Sequence, residues 1–381
     1  MAGQTVLTRL IDRLHAAKDR LLASPGFMRF ATAFPLTRPV ARRRAGALFD
    51  LCAGFVYSQV LLAFVRLRAA EVLAEGPRTV AELAPRLGLP ADGAARLLRA
   101  AAALDLAAER GGGRYGLGPL GAPLLGNPGI AAMVEHHVLL YADLADPVAL
   151  LRQRRTDTGL AGYWAYAGAE RPAEALAGDV DPYTALMAAT QPLVAAEVLD
   201  AWPVHKHRRL LDVGGGDGSF LRATGQRAPG LELVLFDLPA VAARAQERFE
   251  SEGLGGRARA EGGDFHTDAL PGGADLVTLV RVLHDHDDGD VLALLKAVRR
   301  AIHPTGTLLV AEPMAGSRGR GARAMGDAYF GFYLLAMGRG RPRTPAELST
   351  LLVAAGFQPP RPVRTRTPLL ASLLAARPDR A

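Results

Sequence analysis

From residue 207 onward, short apolar runs alternate with stretches in which apolar residues recur at helical spacing. The apolar runs predict buried strands at 210–213, 231–236, 274–280 and 307–311. The helical spacing predicts helices at 219–227, 240–252 and 288–301. Strands that alternate with helices predict an α/β fold, in which a mainly parallel sheet is covered on both faces. Ligands of such sheets bind at the carboxyl ends of the strands.

The longest apolar run of the chain is 51–67, and Ser58, Gln59 and Arg66 interrupt it. Its length is close to the minimum for a membrane span, but its polar residues favour a buried or dimer-forming helix. The residues before it, 1–48, form an arginine-rich leader in which Leu7, Leu10, Ile11, Leu14 and Leu21 fall at helical spacing. This amphipathic basic helix is consistent either with a membrane surface or with ordinary docking on the protein.

Residues 49–125 show the pattern of a small winged-helix domain. Thr79 and Glu82 form a capping box at the start of a short helix, and Asp92 is expected to cap a second helix. Three consecutive glycines at 111–113 then separate two short extended pieces. The second helix offers mostly alanine and leucine, with Arg96 and Arg99 but no Asn, Gln, Ser or Lys that could reach base edges. We therefore expect packing or dimerisation here and no nucleic-acid partner.

Composition adds limited information. The net charge is +7, arginine supplies nearly all of the excess, and we take it to be spread along the chain as a solvated basic surface. The single cysteine, Cys52, excludes an intrachain disulfide and a cysteine-based zinc site. No signal peptide is recognised at the N-terminus. These features indicate a cytoplasmic enzyme, with peripheral contact to the inner or photosynthetic membrane left open.

Residues 126–206 are predicted to be helical and carry several aromatic and methionine side chains, among them Trp164, Tyr183 and Met187. Such side chains are consistent with plain core and equally with an apolar substrate pocket. The pattern does not decide between the two.

A glycine-rich segment, Gly214-Gly215-Gly216-Asp217-Gly218, follows the first predicted strand and precedes a helix. Glycines let the backbone approach a ligand closely. The dinucleotide fingerprint requires Gly or Ala where this chain has Ser219, so the crowded glycines and the acid before them, Asp212, fit an S-adenosylmethionine loop better than a nicotinamide site.

Two further acids follow the next strands. Asp237 ends one strand and can accept the ribose hydroxyls of a nucleoside. Asp264 and Phe265 follow a further strand, expected between the helix at 240–252 and the run at 274–280, and can bind an adenine ring by hydrogen bonding and packing. Each acid alone is also compatible with capping the helix or turn that follows it. Sites at three successive strand ends favour a nucleoside cofactor.

Residues 282–288 read Val-Leu-His-Asp-His-Asp-Asp. The segment is expected to be extended, and a metal site on its two histidines, His284 and His286, is disfavoured. One of the acids is expected to cap the next helix. A histidine at a strand end has a pKa near neutrality and can act as a general base toward a hydroxyl group.

With these motifs in place, the chain from about residue 48 to its end resembles the small-molecule O-methyltransferases that include the plant caffeic acid and acetylserotonin enzymes. The stretch 54–60 resembles their dimerisation domain, which implies a homodimer. The segments 136–137 and 139–144 look most like the hydroxyneurosporene (demethylspheroidene) group of purple bacteria, which acts on carotenoid hydroxyls. The resemblance implies a Rossmann-like S-adenosylmethionine-binding domain at 207–381, a helical linker at 126–206 that lines the acceptor pocket, and a lipophilic acceptor.

The resemblance also implies residue roles. It assigns His284 as the catalytic base and Glu312 as the residue that orients it. It assigns cofactor binding to Gly214, Asp237, Asp264, Phe265 and Arg281, and places Tyr183 and Met187, with Trp164, at the acceptor pocket. No metal is implied.

The chain departs from the plant pattern at three positions. His286 replaces a tryptophan, Val280 stands where plant members have a lysine near the cofactor, and Pro342 stands where they have a second glutamate beside the base. These differences weaken the case for a phenolic acceptor. A winged-helix regulator and a nicotinamide oxidoreductase remain the alternatives from other classes.

Overall fold

A computed structural model describes residues 2–152, 157–163, 181–316, 320–367 and 371–379. Within them, side chains are described from residue 8 onward, except at 181–185, 187–188 and 320. The chain divides into two compact units, Met1–Leu125 and Gly126–Ala381.

The first unit begins with three helices: α1 (Ala2–Ala23), α2 (Pro25–Ala33) and α3 (Arg38–Arg66). Ser24 caps α2 by accepting a hydrogen bond from the amide of Phe27, and prolines stand in the first turns of α2 and α3. α3 contains the apolar run but begins well before it. The arginines at 42–44 are therefore helical, and the predicted boundary between residues 48 and 49 falls inside α3.

The rest of the first unit has the helix–turn–helix and hairpin expected of a winged helix. Its elements are α4 (Ala69–Ala74), β1 (Arg78–Thr79), α5 (Val80–Arg86), α6 (Ala91–Ala103), β2 (Ala107–Arg110), β3 (Arg114–Leu117) and α7 (Ala122–Leu125). The three strands are antiparallel in the order β1-β3-β2.

The capping box of α5 is confirmed, because Thr79 and Glu82 exchange hydrogen bonds with each other's amides. The predicted cap of α6 is wrong. Pro90 occupies the capping position, and Asp92 lies in the first turn, where it pairs with Arg96 one turn later. A carboxylate in the first turn is still favourable there, because it faces the positive end of the helix dipole.

The second unit begins with α8 (Pro128–Asp143), α9 (Pro147–Leu151), α10 (Gly159–Tyr163) and α11 (Asp181–Ala201), followed by a short 3-10 helix, Val204–Lys206. Its sheet is built from β4 (Arg209–Val213), β5 (Glu232–Asp237), β6 (Ala258–Gly262), β7 (Leu276–Val280), β8 (Thr307–Glu312), β9 (Arg361–Val363) and β10 (Ser372–Ala376).

The crossover helices are α12 (Ser219–Arg227), α13 (Pro239–Ser251) and α14 (Asp288–Ala301). After β8 come α15 (Arg320–Arg323), a π-helix at Ala324–Phe330, α16 (Gly331–Met337) and α17 (Pro345–Ala354). The four strands and three helices predicted from the hydrophobic pattern are all present, with shifts of at most two residues at their ends.

The seven strands lie in the order β6-β5-β4-β7-β8-β10-β9. β6, β5, β4, β7 and β8 are parallel, whereas β10 runs antiparallel between β8 and β9. The chain leaves β4 toward β5 on one side and returns to β7 on the other, so a crevice opens at the carboxyl end of β4. The glycine-rich segment begins at that point.

Both faces of the sheet are buried. Leu211, Val234 and Val277 pack on one face with α14 and α17, while Leu210, Leu233 and Leu276 pack on the other with α11 and α12. Alternate residues of a strand point to opposite faces, so continuous apolar runs are expected for strands covered on both sides. This packing holds the strand ends, and the loops that follow them, in fixed positions.

Candidate active site

The glycine-rich loop after β4 takes backbone conformations that side chains resist. Gly214, Gly216 and Gly218 have φ angles of 71°, 59° and 80°. A Cβ at Gly214 would lie 2.8 Å from a methyl group of Val282, and one at Gly218 would lie 2.5 Å from the ring of Phe249. Packing therefore excludes side chains at Gly214 and Gly218. Gly214 is nevertheless exposed, and a Cβ at Gly216 would meet nothing within 4 Å, so the backbone of Gly214 and Gly216 is open to a ligand at the carboxyl end of the central strand.

Asp237 stands at the end of β5 and faces this loop. Its Oδ2 accepts a hydrogen bond from the amide of Gly216 at 2.8 Å, and its Oδ1 accepts one from Leu238 at 2.7 Å. A carboxylate has about four acceptor positions, so two remain for hydroxyl donors. Burial raises the pKa of Asp237 to about 6, although the two amides oppose the change. Additional donors from a ribose would stabilise its ionised form.

Asp212, the penultimate residue of β4, is buried beneath the same loop. Its Oδ1 accepts a hydrogen bond from Thr278 at 2.6 Å, while its Oδ2 is buried without a hydrogen-bond partner among the described residues. Burial raises the pKa of Asp212 to about 7. A buried acceptor without a donor is costly. A cationic or donor-rich ligand in the crevice would relieve that cost. The sequence pattern alone indicated no role for this acid beyond its place before the glycine loop.

Asp264 and Phe265 follow β6 at the same edge of the sheet. Asp264 closes a turn, because its Oδ1 accepts from the amide of His266 at 2.9 Å and its own amide donates to Asp268 at 2.8 Å. Phe265 packs against the sheet core and meets His286 edge-on, with ring centroids 5.2 Å apart. The structure thus shows Asp264 capping a turn, and its second oxygen remains available for an adenine amino group.

These groups suit a nucleoside that carries a positive charge. The loop offers exposed backbone, Asp237 offers spare acceptors, Phe265 offers an apolar face, and Asp212 has a buried oxygen without a donor. S-Adenosylmethionine has hydroxyl donors, an aromatic base and a cationic amino acid portion that match this set. Roles for Gly214, Asp237, Asp264 and Phe265 follow from this match as proposals.

His284 lies in a 3-10 turn, Leu283–Asp285, after β7, and its neighbour across the sheet edge is Glu312 at the end of β8. The Nδ1 of His284 lies 2.5 Å from Oε2 of Glu312. The other carboxylate oxygen, Oε1, accepts from the amides of Val282 at 2.9 Å and Leu283 at 2.6 Å. Glu312 is therefore held from two sides, and it directs a proton to Nδ1 and leaves Nε2 as the basic nitrogen.

Asp285 is the nearest group to Nε2, with 3.2 Å between that nitrogen and Oδ1. Burial acts to lower the pKa of His284, but the charges of Asp285 and Glu312 outweigh it and the net pKa is raised. Burial also raises the pKa of Asp285. A carboxylate on each ring nitrogen favours the imidazolium form, so His284 is a stronger base than a free histidine.

His286 is a poorer base than His284. Burial lowers the pKa of His286 to about 4, and its ring packs against Phe265.

The extended conformation expected for this segment is wrong, because Leu283–Asp285 forms a 3-10 turn. Within the described ranges, no group of three or more histidine, cysteine, aspartate or glutamate side chains is arranged to hold a metal ion. One of the acids was expected to cap the next helix, α14. Asp287 occupies the capping position, but its side chain accepts a hydrogen bond from the amide of Gly340 and makes no capping hydrogen bond to the helix.

Arg343 supports the turn that carries His284 and was missed by sequence analysis. It is 3% exposed and donates to the carbonyls of Leu283 at 2.6 Å and His286 at 2.7 Å, and to Asp288 at 2.7 Å. Gly340 packs directly against the same turn, because an added Cβ there would lie 2.1 Å from the carbonyl oxygen of His284. The segment that contains Pro342 thus fixes the turn of His284 by contacts with the backbone of that turn.

Phe330 packs against His284. Its ring meets the ring of His284 edge-on at 5.4 Å, and it ends the π-helix Ala324–Phe330. Such helices frequently occur at functional sites. Tyr329 and Tyr333 extend the aromatic surface, and Tyr333 reaches His136, with 2.7 Å between the tyrosine hydroxyl and Nε2. The sequence did not predict this cluster, because its aromatic residues are part of an ordinary helical pattern and meet their partners only in the fold.

The remaining predicted site residues are placed as follows. Arg281 follows β7 with a φ of 58°, and its guanidinium donates to Thr190 and Gln191 on α11 at 3.1 Å and 2.7 Å. Trp164 lies outside the described residues. Tyr183 and Met187 lie on α11, but their side chains are outside the described part of the chain. Their roles at the acceptor pocket stay predictions.

Comparison with protein families assigns both parts of the chain. A family model described as the O-methyltransferase domain matches residues 141–358, and one described as the O-methyltransferase dimerisation domain matches residues 49–127. The chain therefore belongs to the O-methyltransferase family.

Individual relatives agree with this assignment. The chain is 44% identical to demethylspheroidene O-methyltransferase of Cereibacter sphaeroides, over 94% of this chain and 93% of that protein. It is 34% identical to acetylserotonin O-methyltransferase of Mus musculus, over 86% and 88% of the two chains. The crystal structure of human N-acetylserotonin methyltransferase in complex with SAM superposes with a TM-score of 0.72 at 27% identity, covering 88% of this chain and 98% of that one. The protein is an S-adenosylmethionine-dependent O-methyltransferase.

Proposed function

We propose that this enzyme methylates a hydroxyl group of a carotenoid of the demethylspheroidene or hydroxyneurosporene type, in carotenoid biosynthesis. One observation carries the proposal: identity to a demethylspheroidene O-methyltransferase is 44% and extends over 94% of the chain. A second protein of that name, from Rhodobacter capsulatus, is 42% identical over 96% of this chain. Similarity over nearly the full length includes the segments that would surround the acceptor as well as the cofactor loop.

The aromatic surface beside the base supports a lipophilic acceptor. Phe330 contacts His284, and Tyr329 and Tyr333 continue the surface toward His136. Burial raises the pKa of Tyr329, which keeps its hydroxyl neutral. Aromatic faces pack favourably against an apolar or conjugated chain and cost little desolvation. The cluster therefore suits a polyene better than it suits a polar acceptor.

In the proposed reaction, His284 takes the proton of the acceptor hydroxyl on Nε2. Glu312 holds the Nδ1 proton and fixes the ring, and the amides of Val282 and Leu283 hold Glu312. Asp285 stabilises the imidazolium that forms. S-Adenosylmethionine supplies the methyl group when bound. Because an aliphatic alcohol is a weak acid, the raised pKa of His284 favours the proton transfer, and much of the rate comes from alignment of the two bound partners.

We further propose that two copies associate through residues 49–127, the segment matched by the dimerisation model, and that the enzyme is cytoplasmic with peripheral contact to the membrane that dissolves its acceptor. A phenolic or polyketide metabolite is the alternative acceptor, because acetylserotonin O-methyltransferase is also among the relatives.

The test is an acceptor screen read by mass spectrometry. Purified enzyme is incubated with S-adenosylmethionine and with hydroxycarotenoids, flavonoids, catechols and quinols dissolved in detergent. Methylation of the hydroxycarotenoid, and of none of the others, is expected. Methylation of a phenol in place of the carotenoid would contradict the carotenoid assignment while leaving the roles of His284 and Glu312 intact.

A further inference from the structure

The three N-terminal helices carry an unusual share of the exposed apolar surface. Of the 21 exposed large apolar side chains among the described residues, ten lie in residues 8–48. Leu36 is 80% exposed, Leu48 70% and Leu14 61%. Soluble monomeric proteins rarely expose large apolar patches, so ten such side chains within this short segment indicate a site of interaction. The residues of this segment are therefore expected to be covered by something else in the cell.

The same segment carries all of the net charge of the protein. Of the 45 basic and 38 acidic residues in the chain, nine and two lie in residues 1–48, which leaves 36 of each in residues 49–381. The expectation that the excess charge is spread along the chain is wrong. The charge of +7 belongs to the leader, and the remainder of the protein is neutral overall.

Charge and apolar surface are arranged together on α1. At about 100° per residue, Leu10, Leu14 and Leu21 form one stripe, and all three are exposed. Arg9, Arg13 and Arg20 lie along one side of that stripe, whereas Lys18 lies between the stripe and Ile11. The two acidic residues, at positions 12 and 19, lie on the opposite side of the helix. Basic residues that flank an apolar stripe are the arrangement of helices that lie in a membrane interface.

We propose that residues 1–48 form a docking surface for an anionic lipid bilayer. The leader surface, defined as α1, α2 and the part of α3 up to Leu48, places its apolar side chains among the acyl chains, and its arginines contact the lipid phosphates. The proposal rests on the proposed function only in giving a reason for docking, since a lipophilic acceptor is dissolved in such a bilayer.

A second copy of the chain is a less favourable occupant. The family's dimerisation model begins at residue 49, after the leader surface. A self-contact through Arg42, Arg43 and Arg44 would also bring like charges together, whereas anionic lipids would neutralise them. Charge therefore favours lipid for the leader surface, and leaves the second copy to the segment that follows it.

A lipid-embedded helix that crosses the bilayer is also disfavoured. α3 is long and apolar enough to span a membrane by length and composition. However, its last turns contribute to the core of the first unit, where Phe64 is fully buried and Val60 and Leu61 pack against the same cluster. Spanning would require these side chains to leave that core, so the leader surface is expected to lie on the membrane and not to cross it.

The test uses the full-length protein and vesicle flotation, without any acceptor present. Vesicles of phosphatidylcholine alone are compared with vesicles that also contain phosphatidylglycerol. Binding to the anionic vesicles is expected, with loss of binding at high salt because the contact is electrostatic. Equal binding to both kinds of vesicle, or to neither, would overturn the proposal.

A matched pair of variants locates the surface. Substitution of Arg42→Gln, Arg43→Gln and Arg44→Gln together is expected to lower partitioning onto anionic vesicles by about a hundredfold, since each basic residue near such a surface contributes roughly fivefold. Arg96→Gln, Arg323→Gln and Arg366→Gln change the net charge equally at side chains that are 75–80% exposed elsewhere. That control should bind as the parent does, and an equal loss in both variants would refute the assignment to the leader surface.

Two further readouts separate the other occupants. Protein bound to cell membranes should be released by alkaline carbonate, and retention in the membrane would show a spanning helix instead. Sedimentation velocity should give the same mass for the parent and the Arg42–Arg44 variant, and dissociation of the variant would show that a second copy covers this surface. Neither readout depends on methylation, so failure of the acceptor screen leaves both of them decisive.

Discussion

We call the glycine loop at 214–218, together with Asp237, Asp264 and Phe265, the cofactor edge. The cofactor edge and the proposed base, His284, are built in different ways. The cofactor edge takes its groups from a glycine loop and from acids that each follow their own strand, so every part is determined by nearby sequence. The base depends on Glu312 and Arg343, which are 28 and 59 positions further along the chain than His284. The comparison suggests that the cofactor edge depends on backbone shape, and the base on contacts between distant segments.

Removal of the base should give the largest effect. His284→Ala is expected to lower kcat by about two to four orders of magnitude, the usual loss for a general base. Binding of S-adenosylmethionine, measured by calorimetry, should stay at the parent value because the cofactor edge is built elsewhere. Turnover equal to that of the parent would exclude His284 as the base.

Loss of the distant support from Arg343 should have a smaller effect than loss of His284, but it should also lower kcat. Arg343→Gln leaves the carbonyls of Leu283 and His286 without their donor, and displacement of the turn is expected to lower kcat by about tenfold to a hundredfold. The affinity for S-adenosylmethionine should not change. Arg341→Gln is the matched control, because Arg341 pairs with Asp288 and Glu347 and does not touch the turn's carbonyls.

A change at the cofactor edge should lower the affinity for S-adenosylmethionine and leave kcat nearly unchanged, the reverse of the effect expected at His284. Asp237→Asn keeps the size of the side chain but removes the charge, so the affinity for S-adenosylmethionine is expected to fall by about tenfold, as for loss of hydrogen bonds to a charged group. At saturating cofactor, kcat should be close to that of the parent. A fall in kcat with unchanged affinity would show that the two regions are not separate.

The smallest effect should be a shift in pH dependence. His284 must be neutral to accept a proton, so activity is lost as pH falls through its raised pKa. Asp285→Asn removes the charge that raises this pKa most, and the acidic limb of the kcat profile should move to lower pH. A limb that stays in place would indicate that Asp285 does not set the basicity of His284.

The two regions touch where Gly214 packs, and this contact offers a way to test their independence. Gly214 lies against Val282, next to the turn that carries His284, whereas an added Cβ at Gly216 would meet nothing within 4 Å. Both glycines have positive φ, so substitution by alanine strains both by about 1–2 kcal/mol. Comparison of the two variants separates backbone strain from displacement of the base.

Much of the fold could be predicted from the sequence because its signals are local. The strands of the sheet are continuous apolar runs buried on both faces, the helices between them have apolar spacing, and the capping box of α5 lies within four residues. The glycine loop is equally local, since positive φ angles within a short turn strongly favour glycine. For the same reason, the candidate cofactor residues could be named before their positions were known.

Tertiary structure alone decided what depends on distant contacts. The orphaned oxygen of Asp212, the clamp of Arg343 on the turn and the contact of Phe330 with His284 arise when separate segments meet. Burial and charge then set the pKa values of His284 and His286 in opposite directions, although both are histidines in one short motif. The exposure of Leu36 and Leu48 is likewise a tertiary result. Hydrophobic spacing predicts that a helix has an apolar face, but only packing shows whether the protein itself covers that face.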